Sequence, residues 1–274
     1  MEILYRNFTK LLSIGVFGEN CPVEDMSEFK WNKLLRIAGI CDVEDFVCDG
    51  IVKSDNKKIP SNIYITAQNN ISVIQDAQTT ANYNFTSGKP IKKFSNFYLN
   101  RKLNKIIFDE IHSIDTSINS LILLNKLIDN INSLLNNGIE IRKLADLGGY
   151  LRKYGDRIDF VKIETWIRLL KIKKICTLIG CMLVSLFSFE IEELPFMKAT
   201  NNKILRKTDG MLNIFLTSIP QPAALHENDE NHGQGINPIT KPNTNPLKFF
   251  NYFPVETASR FISNIAKSLS NIDE

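Results

Sequence analysis

The chain has 274 residues, 43% of them hydrophobic and 23% charged, with 33 Lys and Arg against 30 Asp and Glu. Those proportions suit a globular protein and exclude disordered, collagen-like and disulfide-scaffold classes. A net charge of +3 is too small by itself to argue for a nucleic-acid partner, and three His with five Cys leave little material for metal or thiol catalysis.

In chain order, Met1 to Arg6 mixes charges with apolar residues and shows no small-residue cleavage site, so no secretory leader is expected and the protein is expected to be cytoplasmic. Ile3, Leu4, Phe8, Leu11 and Leu12 recur at helical spacing before Gly15 and Gly18, which predicts a helix ending in a glycine turn. Phe29, Leu34, Leu35, Ile37 and Ala38 mark a second helix. Asp42 reads as the N-cap of a third, carrying Val43, Phe46, Val47, Gly50 and Ile51. From Pro60 to about Tyr83 one stripe runs through Ile63, Ala67, Ile71, Ile74, Ala77 and Ala81.

Residues 85–115 differ in character. Lys89, Lys92, Lys93, Arg101, Lys102 and Lys105 alternate with Phe94, Phe97 and Tyr98, and no acid lies between Gly88 and Phe108. Rings and cations so interleaved are what a single-stranded nucleic-acid groove uses; the competing expectation is a loop or small β-hairpin whose aromatics face the core.

A helix follows from Thr116-Ser117, with Leu121, Leu124, Leu127, Ile128, Ile131, Leu134 and Leu135 as its apolar face and Asn136-Asn137-Gly138 as its stop. Ile141, Leu144, Ala145, Leu147 and Leu151 form the next, stopped by Gly155, and Asp159 reads as the N-cap of a helix from Phe160 to Leu170. Ile175 to Phe189 is uncharged, but shorter than the ~20 residues of a membrane span, and reads as a buried core helix. Residues 217–247 hold five of the ten prolines and read as a mobile loop, after which Pro254 opens a final amphipathic helix through Val255, Ala258, Phe261, Ile262, Ile265, Ala266 and Leu269. The expected architecture is mainly α: a helical region at 1–84, a connecting segment at 85–115 with a possible β-hairpin or sheet remnant, a helical bundle at 116–216, the loop, and a C-terminal helix within 248–274 packing on the bundle.

Little chemistry is signalled locally. Gly148-Gly149 falls within a helical pattern and Gly233-Gln234-Gly235 within the loop, so neither makes a phosphate-binding turn. His226 and His232 share the loop with Glu227, Asp229 and Glu230 and lack the rigid support of a metal site. His112 beside Asp109, Glu110 and Asp115 has no nucleophile signature. In Gly155-Asp156-Arg157-Ile158-Asp159 the acids stand three apart between helices, where Asp159 serves as a cap, whereas paired metal-binding acids need a spacing of two on a strand. Cys21, Cys41, Cys48, Cys176 and Cys181 have no CxxC spacing; Cys41 and Cys48 on one helix would lie roughly 10 Å apart, beyond disulfide reach, so buried free thiols are expected.

Several segments in a fixed order resemble a large bacterial family of uncharacterised nucleotidyltransferases: Lys10 to Gly18, Trp31, and Phe46-Val47-Cys48-Asp49-Gly50-Ile51 in the first half, then Gly138 to Asp146, Tyr154, Ile158-Asp159, Trp166, Glu192 to Phe196, and Tyr252 to Ala258. The resemblance covers about residues 5–60 and 120–265. It implies an α/β nucleotidyltransferase core that uses Mg²⁺, flanked by helices. Between the matched halves, however, family members carry a Leu-Lys-Gly segment and a Gly-Asp-Ile-Asp-Leu segment that supplies the metal-binding acids, and nothing like either stands between Ile63 and Ser117. Family histidines before Gly138 are also absent, with Asn125, Asp129 and Asn137 in that region.

The main expectation is therefore a degenerate, non-catalytic relative that binds a protein or small-molecule partner, with no cofactor, no membrane span and no nucleic acid. Arg142 and Asp146, one turn apart near a helix start, are its candidate ligand contacts; as an alternative they form a helix-stabilising i,i+4 ion pair. A second expectation is a reduced enzyme, in which Asp109, Glu110 and Asp115 on a strand remnant at 106–114 hold Mg²⁺. A third is single-stranded nucleic-acid binding through Lys89 to Lys105. Ligand, partner and oligomeric state are not legible in the residues.

Overall fold

The structure, a computed structural model, describes residues 3–54, 59–78, 92–197, 202–218 and 249–270. Among these, eleven α-helices and no strand occur: α1 (Ile3–Phe17), α2 (Glu28–Ile40), α3 (Glu44–Lys53), α4 (Ser61–Gln78), α5 (Phe97–Ile111), α6 (Ile118–Asn136), α7 (Ile141–Tyr154), α8 (Phe160–Leu169), α9 (Lys173–Phe187), α10 (Asn202–Ser218) and α11 (Pro254–Ser270). The fold is mainly α, as the periodicities predict. None of these helices is long and apolar enough to cross a membrane.

In the first half, α1 buries Leu4, Phe8, Leu11 and Leu12 and crosses α3 at very short range. Two glycines permit this approach. A Cβ on Gly15 would stand 1.8 Å from the Phe46 carbonyl oxygen, and one on Gly50 would stand 2.0 Å from that of Leu11. Gly15 is thus a contact residue inside α1 rather than its stop, and the helix ends at Phe17, with Gly18 in the left-handed region. Asp42 is likewise not a cap. It adopts φ 56° in the turn between α2 and α3, a conformation that Asp tolerates better than most residues, and Val43 occupies the N-cap position. Cys41 ends α2 while Cys48 lies within α3, so the two do not share a helix; all five cysteines are free, with Cys21 and Cys41 only half-buried.

The expected stripe of α4 is seen where its side chains are described: Ile63 and Ala67 are buried and Ile71 packs against the core. Residues 79–83 of that reading lie outside the described residues.

The second half is built around α9, whose Ile175, Cys176, Leu178, Ile179, Cys181, Met182 and Leu183 are all buried. It packs against α6, α7, α8, α10 and α1, and so serves as the core helix expected of this uncharged run. Asp159 caps α8 as predicted, accepting from the Lys162 amide at 3.0 Å. Gly155 does not stop the chain outright: a 3-10 turn, Gly155–Arg157, continues from α7. Helix α10 has no counterpart in the sequence reading, which assigns no element between Phe189 and the proline-rich loop; among its described side chains, Thr208, Leu212 and Leu216 are the buried ones, along a narrow stripe. Most of the 217–247 loop, with His226, His232 and its glycines, lies outside the described residues. Buried side chains from α1 to the start of α11 form one contiguous cluster.

The 85–115 segment takes neither of its expected β forms over the part described. It is helical from Phe97 to Ile111 because Leu99, Leu103, Ile106 and Glu110 fall on one helical stripe and the Asn96 side chain caps the start, accepting from the Leu99 amide at 3.1 Å.

Candidate functional site

Arg142 opens α7 but does not pair with Asp146. Its Nη1 donates to Asp45 Oδ1 at 2.8 Å and to the Asp42 carbonyl at 3.1 Å, and the guanidinium lies 4.7 Å from the centre of the Phe46 ring. The left-handed turn at Asp42 presents that carbonyl, and Asp45 stands in the first turn of α3. Arg142 therefore fastens α7 to the α2–α3 corner.

Asp146, one turn on, is half-buried. Burial pushes its carboxyl above the usual range, against the opposing pull of Lys126 and Arg142. Lys126 is pushed down by its own burial and lies 5.5 Å from the Tyr150 ring centre. Asp129 faces Lys143 at 3.4 Å and Lys92 at 3.7 Å. The two candidate contacts thus belong to a charged seam joining α3, α6 and α7, in which each acid faces a base.

The second set of acids is also drawn into helix contacts. Glu110 is on the buried side of α5, where it receives the Lys162 ammonium at 2.8 Å and the Ser117 amide at 2.6 Å. Asp115 lies 3.8 Å from the same ammonium, and its side chain is 95% exposed. Asp109 is exposed, about 100° around α5 from the buried Glu110. The position between Glu110 and Asp115 is taken by Lys162, and the hydrogen bond to Glu110 raises that lysine above its ordinary value. The expected strand remnant at 106–114 is the end of α5 and the turn after it, so adjacent acids diverge instead of converging. Among the described residues no three His, Cys, Asp or Glu side chains are grouped to hold a metal ion.

No family model, curated protein or solved structure matches the chain. A reading of what it does must come from its own surfaces.

The basic and aromatic segment provides the most distinctive one. Phe94 turns inward and meets Phe253 edge to face at 5.7 Å, as the core expectation has it. The other rings do the opposite. Phe97 is 72% exposed, Tyr98 74% and Phe108 62%. On a helical projection Phe97, Arg101 and Phe108 fall within about 40° of one another, with Lys105 beside them. Arg101 and Lys105 are exposed and make no ion pair among the described residues. Lys89 lies outside the described residues.

Sequence reasoning missed Phe108 as a member of this face, although its spacing of seven from Arg101 carries the signal. It also missed a neighbouring cationic corner. The Lys102 ammonium reaches the Leu169 carbonyl at 3.3 Å, which sets α5 beside the exposed Arg168, Lys171, Lys173 and Lys174 between α8 and α9. Only the packing of α5 on α8 makes these one surface.

Proposed function

We propose that the protein is a non-catalytic binding module, a degenerate relative of the nucleotidyltransferases that its two halves resemble, with the outward side of α5 as its binding face. The observation that carries this reading is the exposure of Phe97, Tyr98 and Phe108 around Arg101 and Lys105, which form no ion pair among the described residues. Three large rings in water on one helix are unfavourable unless something covers them, and such patches are characteristic of interaction surfaces. The work done by the acids supports the same reading: Asp45 holds Arg142, Glu110 holds Lys162, and Asp159 caps α8.

The test is incubation of the purified chain with labelled nucleoside triphosphates, Mg²⁺, and protein and nucleic-acid acceptors. No incorporation is expected. Mg²⁺-dependent labelling of any acceptor overturns the proposal in favour of a reduced enzyme.

A further inference from the structure

We infer that the partner of the α5 face is single-stranded nucleic acid, with Phe97 and Phe108 stacking on bases while Arg101, Lys105 and the α8–α9 corner hold phosphates. This rests on the reading of α5 as a binding face. Exposed rings that flank cations forming no ion pair among the described residues provide the two interactions an unpaired strand requires, because every base has a stacking face and every linkage a negative charge. A duplex hides its base faces and would leave the rings without partners.

The dimensions agree. Phe97 and Phe108 stand eleven residues apart, about 16 Å along the helix axis. That spans roughly four or five nucleotide steps at the stacked spacing, within the range of a small single-strand site. The charge balance agrees as well. Of the two acids on α5, Glu110 is turned inward and neutralised by Lys162, which leaves Asp109 as the exposed acid against Arg101, Lys102 and Lys105. The link from Lys102 to Leu169 then continues the cations onto the next helical corner, beside the ring stripe.

An anionic membrane would also attract a basic helix bearing aromatics. A membrane-surface helix, however, keeps its apolar stripe free of charge and places its cations at the borders. Here Arg101 lies within the ring face, between Phe108 and Tyr98 in angle and between Phe97 and Phe108 in height. A guanidinium there would be driven into the acyl region, whereas beside a stacked base it reaches a phosphate.

Fluorescence anisotropy of the full chain with a labelled oligouridylate and an oligothymidylate, each about 16 nucleotides long, tests the inference. Binding is expected at low salt, falling linearly on a log–log plot as salt rises. F97A and F108A should each weaken it about tenfold, and R101A should lower the salt slope by about one. I214A, at an exposed position on α10, should change nothing, and circular dichroism should show every variant folded. Absence of binding at low salt overturns the inference, as does binding that survives F97A and F108A together. Binding to phosphatidylserine vesicles without binding to either oligonucleotide overturns it in favour of a membrane surface. Each of these failures leaves the non-catalytic reading standing, because only nucleotide incorporation overturns that.

Discussion

Glu256 and Arg260, one turn apart on α11, are both buried and are joined by an Nε to Oε1 hydrogen bond of 2.9 Å. The Glu256 carboxylate also receives the backbone amides of Ser95 at 2.5 Å and Asn96 at 3.0 Å, at the entrance to α5. Arg260 extends the other way, to the side chains of Asn132 and Asn136 on α6. One charged pair thus fixes where α5 begins relative to α6 and α11, and through α5 it sets the orientation of the exposed aromatic face. The apolar contact between Phe94 and Phe253 lies beside it.

Removing either member of this pair should cost most of what removing both costs. E256A leaves a buried guanidinium without its counter-charge and two amides without an acceptor, and is expected to lower unfolding free energy by about 3–5 kcal/mol in urea titrations. R260A should do similar damage. The double variant should lose clearly less than the sum, since the two side chains are in direct contact. Simple additivity would show that the pair is not coupled.

The crossing of α1 and α3 makes a steric prediction. G15A and G50A each place a methyl group on a backbone carbonyl that cannot move without disturbing a helix, and each is expected to cost about 1–3 kcal/mol or more. G210A, on α10, meets nothing within 4 Å and should stabilise by about 0.5–1 kcal/mol through helix propensity. Thermal melts of the three variants would expose an incorrect crossing if G15A and G210A behaved alike.

Asp146 should be a liability at neutral pH. Because burial raises its folded pKa above the 3.8 of the unfolded chain, the favourable state is the protonated one, fully present below pH 3.8 and lost as pH rises through the folded value. D146N is therefore expected to be more stable than the natural protein at pH 7, with the advantage vanishing in acid. D45N should behave oppositely at neutral pH, because it removes the acceptor that Arg142 uses. Stability curves against pH for the two variants check both signs.

Glu24 carries the reverse dependence. Hydrogen bonds from Arg6 and then Lys10 hold its carboxyl down at about 2, from an ordinary value of 4.5. Its contribution is present above pH 4.5 and is lost as pH falls through about 2. In the same loop the Asn7 side chain pairs with the Glu24 backbone in both directions, donating to its carbonyl at 2.7 Å and accepting from its amide at 2.9 Å. Carbon-detected NMR titration should find Glu24 among the most acidic glutamates, and R6A should raise it. N7A should instead loosen the 18–27 segment without restoring the carboxyl to its ordinary value, because Arg6 and Lys10 stay in reach.

The helical class of the protein and the identity of most helices are written in one-dimensional spacing. α6, α7 and α9 carry wide apolar stripes, Asp159 sits where a cap belongs, and Pro254 opens α11 where its missing amide is harmless. Helix α10 was not legible because a stripe as narrow as Thr208, Leu212 and Leu216 amid charges has too weak a period. Gly15 looked like a stop because a glycine needed for a close crossing and one that ends a helix are the same letter. For the aromatic segment the residue types were visible, but spacing alone did not decide which rings go inward. That was settled by Leu99, Leu103 and Ile106 taking the core side of α5, which forced Phe97, Tyr98 and Phe108 into water, while Phe94, ahead of the helix, packs on Phe253.

Charge partners were the least legible of all. An i,i+4 reading of Arg142 and Asp146 is a statement about one isolated helix, whereas in the folded chain Asp45 arrives from nearly a hundred residues away and offers a better-placed acceptor. Lys162 between Glu110 and Asp115 is another such encounter. The sequence by itself determined length, class and helix periods, because those depend on residues a few positions apart. Only the tertiary structure decided which acids are consumed by ion pairs and which rings and cations stand exposed, because long-range packing brings Arg142, Lys162 and Arg260 their partners and, among the described residues, brings no acid onto Arg101 or Lys105.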